Sequence, residues 1–137
     1  TRLPRAIRDV YKRQSMAWEF NEKSPIYSQI AEHIKMQIVS QEIKSGDQLP
    51  TVRELAQEAG VNPNTMQRAF TELEREGMVF SQRTSGRFVT EDNLLIGKIR
   101  QQVAKAELAT FVNNMKKIGY KLDEITVALD HFIKEIN

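Results

Sequence analysis

The residues with the most pointed chemistry are amides and a cation gathered between Asn64 and Arg68: Asn64, Thr65, Gln67 and Arg68. Asn and Gln side chains match the adenine edge in the major groove of DNA, and the Arg fork matches guanine. Nothing in that set suits covalent or proton-transfer chemistry. The chain has no cysteine, which excludes disulfides, thiolate metal sites and a Cys nucleophile. His33 and His131 fall on separate helical stretches, with no Ser/His/Asp set and no Gly-rich phosphate loop in sight. An enzyme, a metal or a cofactor is therefore not expected, and His33 reads as a surface or half-buried side chain.

Two helices and a tight turn must hold these groups, within the stretch Leu49 to Gly77. Thr51 and Glu54 form a capping-box pair that starts the first helix. Val52, Leu55, Ala56 and Ala59 give that helix an apolar face, and Gly60 sits where a left-handed residue ends it. Asn62 caps the second helix, and Pro63 takes the first helical position, where its missing N–H costs nothing. Met66, Ala69, Phe70 and Leu73 then form one stripe. Asn64, Arg68, Thr71 and Arg75 lie opposite, flanked by Thr65 and Gln67. The pattern is a helix-turn-helix, whose second helix reads the major groove with its early residues. A plain helical hairpin with a solvated polar face fits the periodicity too.

The surrounding chain sharpens the reading. Ile26, Ile30, Ile34 and Ile38, with Tyr27, Ala31 and Met36, predict a core-facing helix from about Pro25 to Ile43. Trp18 and Phe20 precede it as a lead-in that packs on the body of the domain. Ser45-Gly46-Asp47 is a turn. After Gly77, two β-prone runs, Met78 to Gln82 and Arg87 to Thr90, flank Arg83-Thr84-Ser85-Gly86 and predict a hairpin. Its tip carries Arg83 and Arg87, where arginine can meet phosphate or enter the minor groove. Three helices and a hairpin make a winged helix-turn-helix.

From about Glu91 the chain is helical again, with an apolar stripe that changes face. Leu95, Ile96, Ile99, Val103 and Ala106 share one side; Leu108, Phe111, Val112, Met115 and Ile118 share a nearly opposite one. Gly119 ends this helix, and Asp123 caps a last one with the stripe Ile125, Ala128, Leu129, Phe132, Ile133 and Ile136. Folded back as a hairpin, two helices leave apolar surface uncovered. Dimerisation through Phe111, Met115, Ile125, Leu129, Phe132 and Ile136 is the expected remedy, since a two-fold protein matches a two-fold operator. A tail this thin is not expected to enclose a metabolite pocket of ~300 Å3 or more, so an effector would sit at the dimer interface.

Charge needs care. The chain of 137 residues carries a net charge of +2. Residues 1–15 hold five Lys/Arg and one Asp, so they contribute +4 and the remainder carries 2 − 4 = −2. This segment lacks helical or strand periodicity and lacks the apolar centre of a signal peptide. Its run Asp9 to Gln14 resembles the translation of GATGTGTATAAGAGACAG, the end of a transposon-based sequencing adapter. The expectation is a non-native leader, with the native start at Met16. No apolar run approaches the ~18 residues of a membrane span. A cytoplasmic protein acting on double-stranded DNA is expected.

The stretch from Ser24 to Asp92 also resembles the GntR family of bacterial transcription regulators. The Pro25-Ile26-Tyr27 opening, the run Gly46 to Pro50, Arg53-Glu54-Leu55-Ala56 and Asn62-Pro63-Asn64-Thr65 are similar to its YtrA-type branch, which ends in a short two-helix extension. The resemblance implies a mainly α fold with a small β-hairpin: a lead-in at 16–23, a winged helix-turn-helix at 24–92 and a two-helix dimerisation extension at 93–137. It implies DNA contacts by Thr51, Arg53, Asn62, Asn64, Thr65, Gln67 and Arg68, and by the wing residues Arg83, Gly86 and Arg87. It also implies a homodimeric repressor of an operon such as one for an ABC transporter, with an effector of unknown identity. Pro63 and Gln67 stand where many members carry Arg, so base preferences of other branches do not transfer. The alternative is a winged helix that binds protein rather than DNA.

Overall fold

The computed structural model describes residues 18–137, so the expectations for residues 1–15 and for Met16 lie outside the described residues. Two compact units divide the chain near Ile96. The first holds α1 (Ile26–Val39), α2 (Val52–Ala59), α3 (Pro63–Arg75), β1 (Val79–Gln82) and β2 (Gly86–Val89). A long helix, α4 (Asn93–Lys117), begins in the first unit and continues into the second, which also contains α5 (Leu122–Ile136).

In the first unit α3 is the hub, packing on α1, α2 and β1. Its whole inner stripe, Met66, Ala69, Phe70 and Leu73, is 0% exposed. Ile30, Ile34 and Ile38 of α1 meet the same core, joined by Met78, Val79 and Val89. Helical spacing predicts this stripe because a residue every three or four positions returns to one side. Ile26 and Met36, at the flanks of the α1 stripe, remain more than a third exposed. Trp18 and Phe20 do fold onto the domain: the Trp18 ring lies 4.2 Å from the His33 ring. Burial there lowers the His33 pKa below its ordinary 6.5, with Glu42 opposing, so the imidazole is neutral at pH 7.

The helix ends follow local chemistry. Thr51 Oγ1 accepts the Glu54 N–H at 3.1 Å, and Asn62 Oδ1 accepts the Asn64 N–H at 2.8 Å. Gly60 (φ 70°) and Gly77 (φ 79°) are left-handed and close α2 and α3. The N–H of the residue after each, Val61 and Met78, bonds back to the carbonyls of Ala56 and Leu73. Two boundaries differ from the sequence reading. The first helix stops at Val39 rather than Ile43, because Gln41 adopts φ 67° and turns the chain. The last helix is not capped by Asp123, which lies within its first turn; Glu124 Oε1 instead accepts the N–H of Lys121.

The hairpin has more support than two strands. Its register pairs Val79 with Val89 and Gln82 with Gly86. The segment 46–49 runs along the other edge of β2, through Leu49 N–H to the Arg87 carbonyl (2.9 Å) and Val89 N–H to the Asp47 carbonyl (2.9 Å). A bare hairpin is marginal in water, and a third backbone partner relieves that. The turn signals in this segment hide its pairing from side-chain pattern.

In the second unit, Ile125 is 5% exposed, whereas Phe132, Ile133 and Ile136 are 57%, 50% and 68% exposed. Phe111, Met115, Ala128, Leu129 and Phe132 line an open apolar groove of about 350 Å3. The groove is open to solvent and does not enclose a ligand-sized cavity within one chain. No helix among the described residues is long and apolar enough to cross a membrane.

Truncating the largest fully buried side chain of the hub, Phe70→Ala, is expected to cost about 3–5 kcal/mol, a large share of the stability of a domain this size. Urea unfolding checks it; a loss under about 1 kcal/mol would mean that α3 is not the hub.

Candidate nucleic-acid interface

Full burial of its inner stripe fixes the rotation of α3 about its axis, so its outer face is set as well. Asn64, Gln67 and Arg68 are exposed on that face, and Thr65 is half-buried at its margin. Asn62 lies just ahead, exposed, with its side chain engaged in the cap. Thr51 and Arg53 are exposed at the start of α2, Thr51 likewise occupied as a cap. The leading turn of α3 also carries the positive end of the helix dipole, which favours a phosphate nearby.

The wing is rearranged relative to the sequence reading. Its turn is Arg83-Thr84-Ser85; Gly86 opens β2 with φ 104° and pairs with Gln82. Arg87 is not at the tip. It pairs with Ser81, on the same strand face as the buried Val79 and Val89, because alternate residues of a strand share a face. Its Nε donates to Glu74 Oε1 on α3 at 2.7 Å, and Ser81 Oγ donates to the same oxygen at 3.0 Å. The Arg87 guanidinium also lies 5.2 Å from the Phe70 ring centre. Arg87 therefore ties the wing to α3 rather than reaching outward, and period-two alternation carried the signal. The Gln48 side chain holds the wing turn from the other side, through the Ser85 carbonyl.

Charge is sorted by pairing. Residues 18–96 contain eight Lys/Arg and twelve Asp/Glu, a net −4. Lys35 sits between Glu32 and Glu76, Arg75 pairs with Glu72, and Arg87 pairs with Glu74. Among the described residues, Arg53, Arg68 and Arg83 have no carboxylate within 4 Å. Those three mark the start of α2, the leading half of α3 and the wing turn. The far half of α3, with Glu72, Glu74 and Glu76, is acidic. In an acidic segment, phosphate is attracted through cations that no carboxylate cancels, and these arginines are among them, as are Lys23 and Lys44. Arg68 has one neighbour of note: its guanidinium carbon lies 4.0 Å from the centre of the Tyr27 ring on α1. Neither Glu74 nor Tyr27 is among the residues the sequence singles out for this surface.

Of the residues expected at a dimer contact, Phe132 and Ile136 are exposed and Phe111, Met115 and Leu129 are half-buried. Ile125 departs from expectation. It is buried within a single chain, which leaves it no surface for a partner.

Residues 26–89 match the model of the gntR family of bacterial regulatory proteins. The chain is 37% identical over 114 residues to the HTH-type transcriptional regulator YhcF of Bacillus subtilis, covering 83% of this chain and 94% of that protein. It is 36% identical over 117 residues to the HTH-type transcriptional repressor YtrA of the same organism, covering 83% and 85%. Its fold is similar to that of a GntR family transcriptional regulator from Listeria monocytogenes, with a TM-score of 0.74 and 36% identity over 82% of this chain and 98% of the other.

The wing clamp has a pH signature. The hydrogen bond from Arg87 holds the Glu74 carboxyl below its ordinary 4.5, against an opposing effect of burial. A depressed folded-state pKa contributes stability above the unfolded value, lost as pH falls through the folded one. Glu74→Gln is expected to lower stability by about 0.5–1.5 kcal/mol at pH 7. The gap from the parent should close as the pH drops below about 4.5, read by denaturant unfolding at several pH values. A gap that stays constant down to pH 3 would contradict the clamp.

Proposed function

This chain belongs to the GntR family of bacterial regulatory proteins, and we propose that it acts as a homodimeric repressor reading a two-fold DNA operator. The observation that carries this reading is the outward face of α3. Asn64, Gln67 and Arg68 are exposed on the leading half of a helix whose opposite face is locked in the core. Each α3 enters a major groove, where the amides and Arg68 meet base edges. Arg53 and Arg83 anchor phosphates on either side, with the caps Thr51 and Asn62 and the wing residue Gly86 bringing backbone close. Arg87 contributes by orienting the wing. The target genes would be those of an operon such as one encoding an ABC transporter, as the YtrA-type resemblance suggests, and the site of action the cytoplasm.

Exposed apolar residues on α5 support pairing of two chains through the tail. Phe132, Ile133 and Ile136 present apolar surface larger than scattered single residues would, and Phe111, Met115 and Leu129 adjoin it in the groove. An effector would act by changing the separation of the two reading heads, so that both could no longer bind at once.

Two measurements test this. Affinity for a selected duplex is expected to fall with salt at a log-log slope near −0.9 per phosphate contact; binding that ignores salt would point to a protein partner instead. Phe132→Asp is expected to convert the dimer to monomer in sedimentation, and an unchanged profile would remove the tail from the interface.

A further inference from the structure

We propose that Tyr27 is a positioning residue for DNA reading, holding Arg68 in place without cancelling its charge; this rests on the reading of Arg68 as a DNA-contacting residue. Three described arginines of the first unit have side-chain partners, of two kinds. Arg87 is held by the Glu74 carboxylate, and Arg75, exposed, pairs with Glu72 on its own helix. Arg68 is fixed by a ring. Its guanidinium carbon lies 4.0 Å from the Tyr27 ring centre, within the range of an electrostatic attraction between a cation and an aromatic face. Among the described residues, no hydrogen-bond acceptor or carboxylate engages its N–H groups.

The distinction matters for binding. A guanidinium carries its five donors in its own plane, so a ring against one face leaves the donor edge for a base or phosphate. A long Arg side chain otherwise loses much rotamer freedom when DNA arrives. Restricting it beforehand strengthens binding through preorganisation. The ring can do this because α1 packs directly on α3, and because Tyr27 lies at the start of α1, level with the reading half of α3. The first helix is thereby part of the reading surface, although it need not touch a base.

The test is a double-mutant cycle on the full chain, using a duplex selected from a random pool and duplexes altered at each of its base pairs. Tyr27→Leu is expected to weaken binding to the selected duplex roughly 2- to 5-fold, and to do nothing further in the Arg68→Ala background. Tyr27→Phe keeps the ring and should stay near parent affinity. If Tyr27→Leu lowers the melting temperature, Tyr27→Trp, with a stronger ring, should still bind at least as tightly as the parent; a loss there overturns the proposal. Equal loss from Tyr27→Leu in both backgrounds also overturns it, as does a Tyr27→Phe loss as large as that of Tyr27→Leu. Loss with Arg68→Ala but not with Tyr27→Leu sinks this inference alone. A chain that selects no duplex sinks the proposed function together with it.

Discussion

The structure depends on the complete burial of one side of α3. Four side chains on that helix, Met66, Ala69, Phe70 and Leu73, have no contact with solvent. A helix held this way cannot roll, since each residue step turns it by about 100° and a slip would bury Gln67 or Arg68. The caps at Asn62 and the left-handed close at Gly77 set where it starts and stops. Precision on the outer face is thus a by-product of packing on the inner one.

Electrostatics then selects which residues on that face matter. Residues 18–96 carry a net charge of −4, so long-range attraction of that segment to DNA is weak. Local contacts must supply the affinity, and pairing decides which cations are left to supply it. Arg75 and Arg87 are consumed within the fold; Arg53, Arg68 and Arg83 are not. In the proposed dimer a second head would add leverage, because linking two sites raises the effective concentration of the second.

Much of this was legible in the sequence. The stripe on α3, the caps Thr51 and Asn62, the break at Gly60 and the hairpin all followed from spacing and turn chemistry, because those signals are local. What was not legible depended on tertiary placement. The pairing of segment 46–49 with β2 is made by backbone groups and leaves no side-chain pattern. The role of Arg87 was misplaced because hairpin tip and strand differ by one residue of register; the alternation of Val79, Ser81 and their partners would have put it on the inner face. Glu74 and Tyr27 gained roles only once separate elements were brought together. Helix ends were least certain where a non-glycine, Gln41, took the left-handed turn.

If the fixed outer face of α3 reads DNA sequence, the protein must select among duplexes. Exposing the full chain to a random pool of duplexes and sequencing what it retains measures that selection. An enriched inverted repeat is expected, with half-sites about one helical turn apart, roughly 34–36 Å, or a multiple of that. Retention of no sequence above background by a folded chain would contradict it.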